Sequence, residues 1–448
     1  MVPAWAGAVA AAPRQGPAMT EHKHLKRLVR DRMARTGESY TTARRQLLTA
    51  AAREHGPALP PGLVPGYELF GGGQHRLSAL AVHLLRQAGA PFTEAMVAGL
   101  GGGIGFMYAV FEYKGWPPLM TIVAQHHPEP WLPAVLGRLG IKYTEEHNTA
   151  SKPALAALHR ALDDGRPVYC TVDLTALPWH AGELAHSETP YEVVVAGRQD
   201  GTIYLDDTSI VPLAIPEADF ASAWARHKKG RHHRIVLTSV PTTVDLPAAI
   251  RDAIATTTAH LTGPVLGHSF DSNFGFSGMA KLATQLRDTR TKAGWAKRFG
   301  SPVDFFHGVR RLYECLELQF TAPGATRPLY ADFLDEAAPV LGAPALTEAA
   351  ALFRASGAAW SRLATRAAEA TAGLGAYTEL CEERLLFLLT RGRDAVAEVQ
   401  ALSAKIAELT AEPDVDTALF AELADLVDAA REHEERAVAL LSPEAHPQ

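Results

Sequence analysis

The spacing of apolar residues changes along the chain from a helical pattern to a mixture of helical and strand patterns and then back again. An apolar position every three or four residues is typical of an amphipathic helix, and alternation is typical of a strand. Helices are predicted at residues 76–88, 91–98, 131–140, 152–165 and 216–230. Strands rich in Val, Ile and Tyr are predicted at residues 107–113, 120–125, 167–174, 191–197, 202–207 and 233–240. The middle of the chain is therefore predicted to mix helices with strands.

Strand signals stop at about residue 245, and helical spacing continues to residue 441. The last three segments are rich in Ala, Leu, Glu and Arg, as antiparallel bundle helices usually are. In the mixed region, short turns such as RQDGT at 198–202 favour antiparallel pairing of the strands. The predicted fold class is α+β, with a mixed α/β domain that holds an antiparallel sheet at 66–241 and an all-helical bundle domain at 245–441.

Two segments precede the mixed domain. Residues 1–18 lack the basic start and the long apolar run of a signal peptide, and they are predicted to be a disordered leader. Residues 19–58 are predicted to form a basic helical hairpin, because nine Lys and Arg face four acids between residues 20 and 54. Such a hairpin is either a solvated surface or a docking arm for an acidic partner.

Composition narrows the class of protein. The 448 residues are 47% hydrophobic and 21% charged, which is close to the average for globular domains. A net charge of -6 gives no reason to expect nucleic acid as a partner. The sequence contains no run of 18 apolar residues, so no membrane span is predicted. The three widely spaced cysteines, Cys170, Cys315 and Cys381, fit a reducing cytoplasm and are predicted to be small buried hydrophobes.

The densest glycine run, GLGGGIGF at 99–106, matches no phosphate-binding fingerprint. No Lys follows the glycines as a Walker-type loop requires, and the GxGxxG spacing also fails. The run is therefore either a turn with close backbone packing or a loop whose N–H groups line a pocket.

Other polar motifs carry less information. The sequence GHSFD at 267–271 lacks the last glycine of a nucleophile elbow and follows no strand. His126 and His127 are adjacent, and His180 and His186 lie in one loop, yet none of these pairs has a metal-ligand spacing that outweighs ordinary surface or hydrogen-bonding roles. No metal and no cofactor is predicted.

Four stretches carry a family resemblance: HRLSALAVHLLRQAGAPFTEAMVAGLGGGIGFMY at 75–108, GRPVYCTVDLTALPWH at 165–180, FGFSGMAKLA at 274–283 and RPLYADFLDEAA at 327–338. They resemble the butirosin biosynthesis protein H family, in its N-terminal domain and in the helical domain that follows. The resemblance implies a papain-like domain related to C39-type cysteine peptidases. It also implies transfer of an acyl group from an acyl carrier protein thioester to an amine, in secondary metabolism and antibiotic biosynthesis.

Such chemistry normally uses a Cys at a helix N-terminus, a His base and an Asp that orients the base. At the matching positions this chain has Arg76 in place of the Cys and Tyr191 in place of the His, and only Asp207 agrees. Arg is always protonated and Tyr is a weak base at neutral pH. A covalent thioester intermediate at this position is therefore not expected.

Two hypotheses follow from the resemblance and its departures. In the first, the pocket catalyses acyl or aminoacyl transfer onto an amine without a covalent intermediate. His75 would be the base, Gln74 or the N–H groups of Gly101, Gly102 and Gly103 would stabilise the oxyanion, and Arg76 would hold a carboxylate or a phosphate. Tyr191 and Asp207 would position the substrate.

In the second hypothesis the site is catalytically dead, and the protein is a scaffold module that docks a carrier protein or a substrate. Arg76 would then pair with Asp207, and Tyr191 would pack over the pair. A cyclase or hydrolase activity in the same cleft is a further alternative, because a fold does not determine chemistry. The expected partners are an acyl carrier protein and a small-molecule amine, and a homodimer stays open.

Overall fold

The computed structural model describes residues 27–32, 43, 47, 50, 58–125, 130–180, 189–226, 231–411 and 414–441. Residues 27–32, 43, 47 and 50 of the predicted hairpin are helical, and its residue 58 is also described. The other hairpin residues, the predicted leader, and His126, His127 and His186 lie outside the described residues. None of the helices in the described ranges combines the length and the hydropathy that crossing a membrane requires.

The strands are β1 Ile104–Phe111, β2 Leu119–Gln125, β3 Lys142–Glu146, β4 Val168–Asp173, β5 Pro190–Gln199, β6 Thr202–Asp206, β7 Leu213–Pro216 and β8 Arg234–Ser239. The helices are α1 Arg76–Gln87, α2 Glu94–Leu100, α3 Trp131–Arg138, α4 Ser151–Asp163, α5 Glu217–Arg226, α6 Leu246–Thr262, α7 Gly275–Arg287, α8 Trp295–Arg298, α9 Pro302–Tyr313, α10 Arg327–Leu341, α11 Ala345–Ala368, α12 Ala372–Arg391, α13 Val396–Glu408 and α14 Leu419–Leu441. The α+β class predicted from the sequence is confirmed.

The chain divides into two compact units, and each is built from separate segments. The sheet unit comprises Met1–Pro91, Lys142–Val240 and Leu380–Glu408, and the helical unit comprises Phe92–Ile141, Pro241–Glu379 and Leu409–Gln448. This division differs from the boundaries predicted at 66–241 and 245–441. The sequence alone places the β1–β2 hairpin in the same domain as the strands that follow it along the chain. In the structure, β1 and β2 pack instead on helices that follow much later.

The sheet unit is built on six strands in the order β3-β8-β4-β5-β6-β7. Every neighbouring pair is antiparallel, as the short turns predicted. β4 is buried along its whole length, whereas the edge strand β3 is mostly exposed and polar. The edge strands β3 and β7 were not among the predicted strands, because one has no apolar alternation and the other is only four residues long.

Helix α1 positions the candidate site within the sheet unit. Its Leu80, Leu84 and Leu85 are buried, and the helix packs against β5. Burying three leucines stabilises this contact by roughly 1.5–3 kcal/mol for each side chain relative to leaving it exposed. The N-terminal residue of α1, Arg76, is thereby held beside the start of β5.

The helical unit contains the β1–β2 hairpin as well as helices. α11 packs against α10 and α14, while α7 and α9 pack on β1 and β2. The glycine run lies where α2 ends. A side chain at Gly99 would meet the ring of Phe333, and Gly103 has a φ of +62° and lies against Tyr330. Close packing of α2 against α10 therefore explains these two glycines.

A buried ion pair joins the hairpin to the helices of this unit. Arg327 and Glu434 are both fully buried, and Arg327 Nε lies 2.8 Å from Glu434 Oε1. The guanidinium also donates to the carbonyl oxygens of Ala124 in β2 and Gly105 in β1, at 2.6 and 3.0 Å. Ser356 and Trp360 donate to the same carboxylate at 2.6 and 3.1 Å. The charges are therefore compensated on every side, which is what burial of an ion pair requires.

We expect Glu434→Ala to lower the free energy of unfolding by about 3–5 kcal/mol, because it leaves a buried guanidinium without its counter-charge. Chemical denaturation measures this change. The matched control is Glu422→Ala, which breaks the exposed Arg366–Glu422 pair and should change stability little. Equal effects of the two variants would contradict the central role of the buried pair.

Candidate functional site

The three positions that correspond to the Cys-His-Asp set of the resemblance lie together in the sheet unit. Arg76 opens α1, Tyr191 is the second residue of β5, and Asp207 follows the end of β6. β5 and β6 are paired, with Val194 opposite Asp206, so Tyr191 and Asp207 reach the same end of the sheet. The tyrosine hydroxyl donates to Asp207 Oδ1 at 2.7 Å.

The Arg76 side chain contacts both members of this pair. Its guanidinium carbon is 3.7 Å from the centre of the Tyr191 ring, which is a cation–π contact. Its Nη1 lies 3.8 Å from Asp207 Oδ1 and donates to the backbone oxygen of Glu192, and its Nη2 lies 3.2 Å from Glu192 Oε2. Burial by itself would lower the pKa of Arg76, but Tyr191, Asp207 and Glu192 together raise it. The side chain is therefore a permanent cation tied to its neighbours.

Asp207 is the buried centre of the cluster. Its Oδ2 accepts hydrogen bonds from Trp179 Nε1 at 2.9 Å and from His180 Nε2 at 3.1 Å. Its Oδ1 accepts from Tyr191 and, at 3.2 Å, from Thr208 Oγ1. Burial raises the pKa of Asp207, but the hydrogen bond and charge of His180 and the charge of Arg76 outweigh burial and lower it to about 2. The carboxylate is therefore ionised at neutral pH and uses both oxygens.

Tyr191 is a poor candidate for a base. Burial raises its pKa well above the usual value, Asp207 raises it further, and the opposing effect of Arg76 does not cancel these. Its ring also packs edge-on against His180, with centroids 4.9 Å apart. The phenol therefore stays protonated and acts as a hydrogen-bond donor within the cluster.

Trp179 and His180 are members of the cluster that the sequence did not predict. Both lie in a short 3-10 turn after β4, and both are buried. The sequence contains a signal for them, since LPWH places two polar rings at the end of a buried strand. The resemblance pointed to their partner Asp207, but no spacing in the sequence linked it to these two rings.

The neighbouring Asp206 organises a second polar cluster. It is fully buried and accepts from Tyr67 Oη at 2.7 Å, from the Gly71 amide at 2.9 Å and from His83 Nδ1 at 2.6 Å. His83 lies on α1, as Arg76 does. The two consecutive carboxylates therefore bind two points of the same helix, and they fix α1 on the end of β6.

His75 lies directly before α1 in extended conformation, and it is buried. Its Nδ1 is 2.7 Å from Ser78 Oγ within the first turn of the same helix. Gln74 precedes it in the chain. The structure thus brings Gln74, His75 and Arg76 to one end of α1.

The predicted oxyanion role of the glycine loop is not supported. The amides of Gly101, Gly102 and Gly103 donate to the carbonyls of Val97, Gly99 and Ala98 at 3.0, 2.9 and 3.2 Å. These bonds close the C-terminal end of α2, so the N–H groups are already used. The loop also belongs to the helical unit, whereas Arg76, Tyr191 and Asp207 belong to the sheet unit.

All three cysteines are buried, as predicted. Burial is the main cause that raises the pKa of the Cys170 and Cys315 thiols, with Arg234 and Arg311 respectively opposing it. Thiolate is the nucleophilic form, so neither group is activated for attack.

A separate cavity of about 450 Å³ lies within the helical unit. Lys281, Arg298, Ser269 and Ser272 are among its lining residues. Lys281 Nζ donates to the neutral amide oxygen of Asn273 at 2.7 Å, and Arg298 pairs with Glu112 at 3.1 Å. Two cations and two hydroxyls at one cavity form a polar surface suited to an anionic group.

Two family models match this chain in sequence order. Residues 75–208 match the model described as butirosin biosynthesis protein H, N-terminal, and residues 218–399 match a domain of unknown function, DUF4872. A search of curated proteins finds no match. The succession of the two domains is the architecture that the sequence resemblance implied, and residues 75–208 belong to the butirosin biosynthesis protein H N-terminal family.

Proposed function

We propose that this member of a family of biosynthetic tailoring proteins is a binding module, which docks a carrier-linked or small-molecule substrate and forms no acyl-enzyme at its papain-like position. The observation that carries the proposal is the closed cluster around Asp207. Arg76 lies on the ring of Tyr191, and the tyrosine hydroxyl is already donated to the carboxylate. Arg76 and Tyr191, at the positions of the nucleophile and the base, therefore interact with each other and with Asp207.

This arrangement favours the second sequence hypothesis over the first. A general base must accept a proton from substrate, yet Tyr191 is protonated and His75, the base of the first hypothesis, is buried. One guanidinium nitrogen of Arg76 lies 3.8 Å from Asp207, so this ion pair is not bidentate. Arg76 also pairs with Glu192 and lies over the Tyr191 ring, so its charge is compensated as expected for a dead site. Acyl transfer without a covalent intermediate remains the alternative, and it has less support from these contacts.

The cavity in the helical unit is the proposed ligand site. Its volume of about 450 Å³ falls within the range of small-molecule pockets. A phosphate or carboxylate would find the ammonium of Lys281 and the guanidinium of Arg298 at its wall. A carrier protein presents such an anionic group, the phosphate of its phosphopantetheine arm.

We expect Asp207→Asn to destabilise the protein by about 3 kcal/mol at pH 7, because a carboxylate with a pKa near 2 is better stabilised in the folded than in the unfolded chain. This contribution is complete above the unfolded pKa of about 3.9 and is lost as pH falls towards 2. Denaturation of both proteins at pH 7 and at lower pH should show the difference shrinking with acidification. Asp200→Asn, at an exposed turn, is the control and should show no such trend. A pH-independent difference would contradict the role of the Asp207 charge.

Intact mass spectrometry tests whether an acyl-enzyme forms. Wild-type protein incubated with acyl-pantetheine thioesters should gain no acyl mass, because its three thiols are buried and burial raises the pKa of Cys170 and Cys315. The paired substitution Arg76→Cys with Tyr191→His serves as a positive control, since it supplies thiol and imidazole beside Asp207. An adduct on Cys170, Cys315 or Cys381 of the wild type during turnover would end the proposal.

Binding to the cavity is tested with 4′-phosphopantetheine and with pantetheine, which lacks the phosphate. Lys281→Met should weaken binding of the phosphate form at least about tenfold, since a charge-assisted hydrogen bond is worth roughly 1.5–3 kcal/mol. Lys292→Met removes an exposed charge of the same unit and should leave the affinity unchanged. Calorimetry in which the two ligands bind equally, or in which both variants behave alike, would exclude this cavity as the phosphate site.

A further inference from the structure

Three side chains that can bind metal converge where β3 ends and β8 begins. Glu145 is in β3, His147 follows the end of that strand, and His233 directly precedes β8. The strands are antiparallel, with Glu145 opposite Ile235 and therefore close to the start of β8. One ligand atom from each of the three side chains lies within 4.8 Å of the other two. This cluster belongs to the sheet unit and is separate from the contacts of Asp207.

The distances suit a small cation. His233 Nε2 is 2.9 Å from Glu145 Oε1, and the rings of His147 and His233 have centroids 4.7 Å apart at 32° to one another. Zn²⁺ bonds to His nitrogen and carboxylate oxygen at roughly 2.0–2.2 Å, so ligands at tetrahedral angles lie about 3.4 Å apart. Glu145 and His147 are exposed and can close the remaining gap by side-chain rotation.

His233 is already oriented for coordination. Its Nδ1 is 2.8 Å from Thr171 Oγ1 of β4, which leaves Nε2 directed at the other two side chains. Metal-ligating histidines usually hold their second nitrogen in such a hydrogen bond, because it fixes the ring and its tautomer.

The backbone on both sides of the cluster is fixed as well. Arg234 pairs with Glu146, and its Nη1 donates to Asn148 Oδ1 at 3.2 Å, so it contacts both neighbours of His147 in the chain. His232 Nδ1 is 2.7 Å from the Asn148 carbonyl oxygen. The segment that carries His147 is therefore held against the start of β8 by contacts that do not use the three candidate ligands.

We propose that Glu145, His147 and His233 form a divalent transition-metal site, with Zn²⁺ as the preferred ion. Two imidazoles and one carboxylate are a ligand set typical of zinc. Three protein ligands at an exposed position leave the fourth coordination position to water. The sequence predicted no metal, because the third ligand lies 86 positions after His147 and only the pairing of β3 with β8 brings it near.

The test uses full-length protein that has been treated with a chelator and then dialysed. Zinc titration by calorimetry, and the visible absorption of Co²⁺ in the same protein, measure the affinity and the coordination. His147→Ala and His233→Ala should each weaken this site by more than 100-fold. Thr171→Val, which removes only the orienting hydrogen bond, should weaken it roughly 10–100-fold.

The matched control is His159→Ala. His159 Nε2 lies 2.7 Å from Glu217, so this variant breaks a partly exposed His–Glu pair without a third ligand. It should retain wild-type zinc affinity and the four-coordinate cobalt spectrum. Failure of the wild type to bind zinc, or an equal loss in His159→Ala and His147→Ala, would overturn the proposal. Circular dichroism of the exposed His147→Ala variant checks that the loss of affinity is not a loss of fold.

Discussion

The carboxylate of Asp207 is the constraint on which the candidate site of the sheet unit depends. An ionised group with no exposure to solvent persists only if hydrogen bonds and opposite charge replace its water. Trp179, His180, Tyr191 and Thr208 supply those hydrogen bonds, and Arg76 supplies charge. In an enzyme of the implied class, the equivalent acid orients one imidazole. Here it satisfies a set of groups that also satisfy each other, and this is why the geometry favours a binding role over acyl transfer.

The helical unit also buries charged groups, the ion pair of Arg327 and Glu434. Arg327 and Glu434 are buried beside the β1–β2 hairpin, and the guanidinium bonds to carbonyl oxygens of both strands. A two-stranded hairpin is marginal by itself. The hairpin packs on α7 and α9 and contacts Arg327. It therefore belongs to the helical unit, although most of that unit comes much later in the sequence.

The candidate metal site and the Arg76 cluster are connected across the sheet. Thr171 touches His233 through its hydroxyl, and Thr171 is directly opposite Glu192 in the β4–β5 register. Glu192 in turn pairs with Arg76. Thr171 and Glu192 therefore lie between the candidate metal site and the Arg76 cluster on the same sheet. The two clusters lie on one sheet and can influence one another electrostatically.

The sequence by itself determined the α+β class, the antiparallel sheet and the burial of the cysteines, because hydrophobic periodicity and short turns are local properties. It also placed Arg76, Tyr191 and Asp207 at one site, through the family resemblance. Only the tertiary structure decided that Trp179 and His180 join them, that the Gly101–Gly103 amides are used within α2, and that Phe92–Ile141 packs with the helices. Glu145 and His233 meet for the same reason: such contacts join residues far apart in the chain, and no spacing in the sequence encodes them.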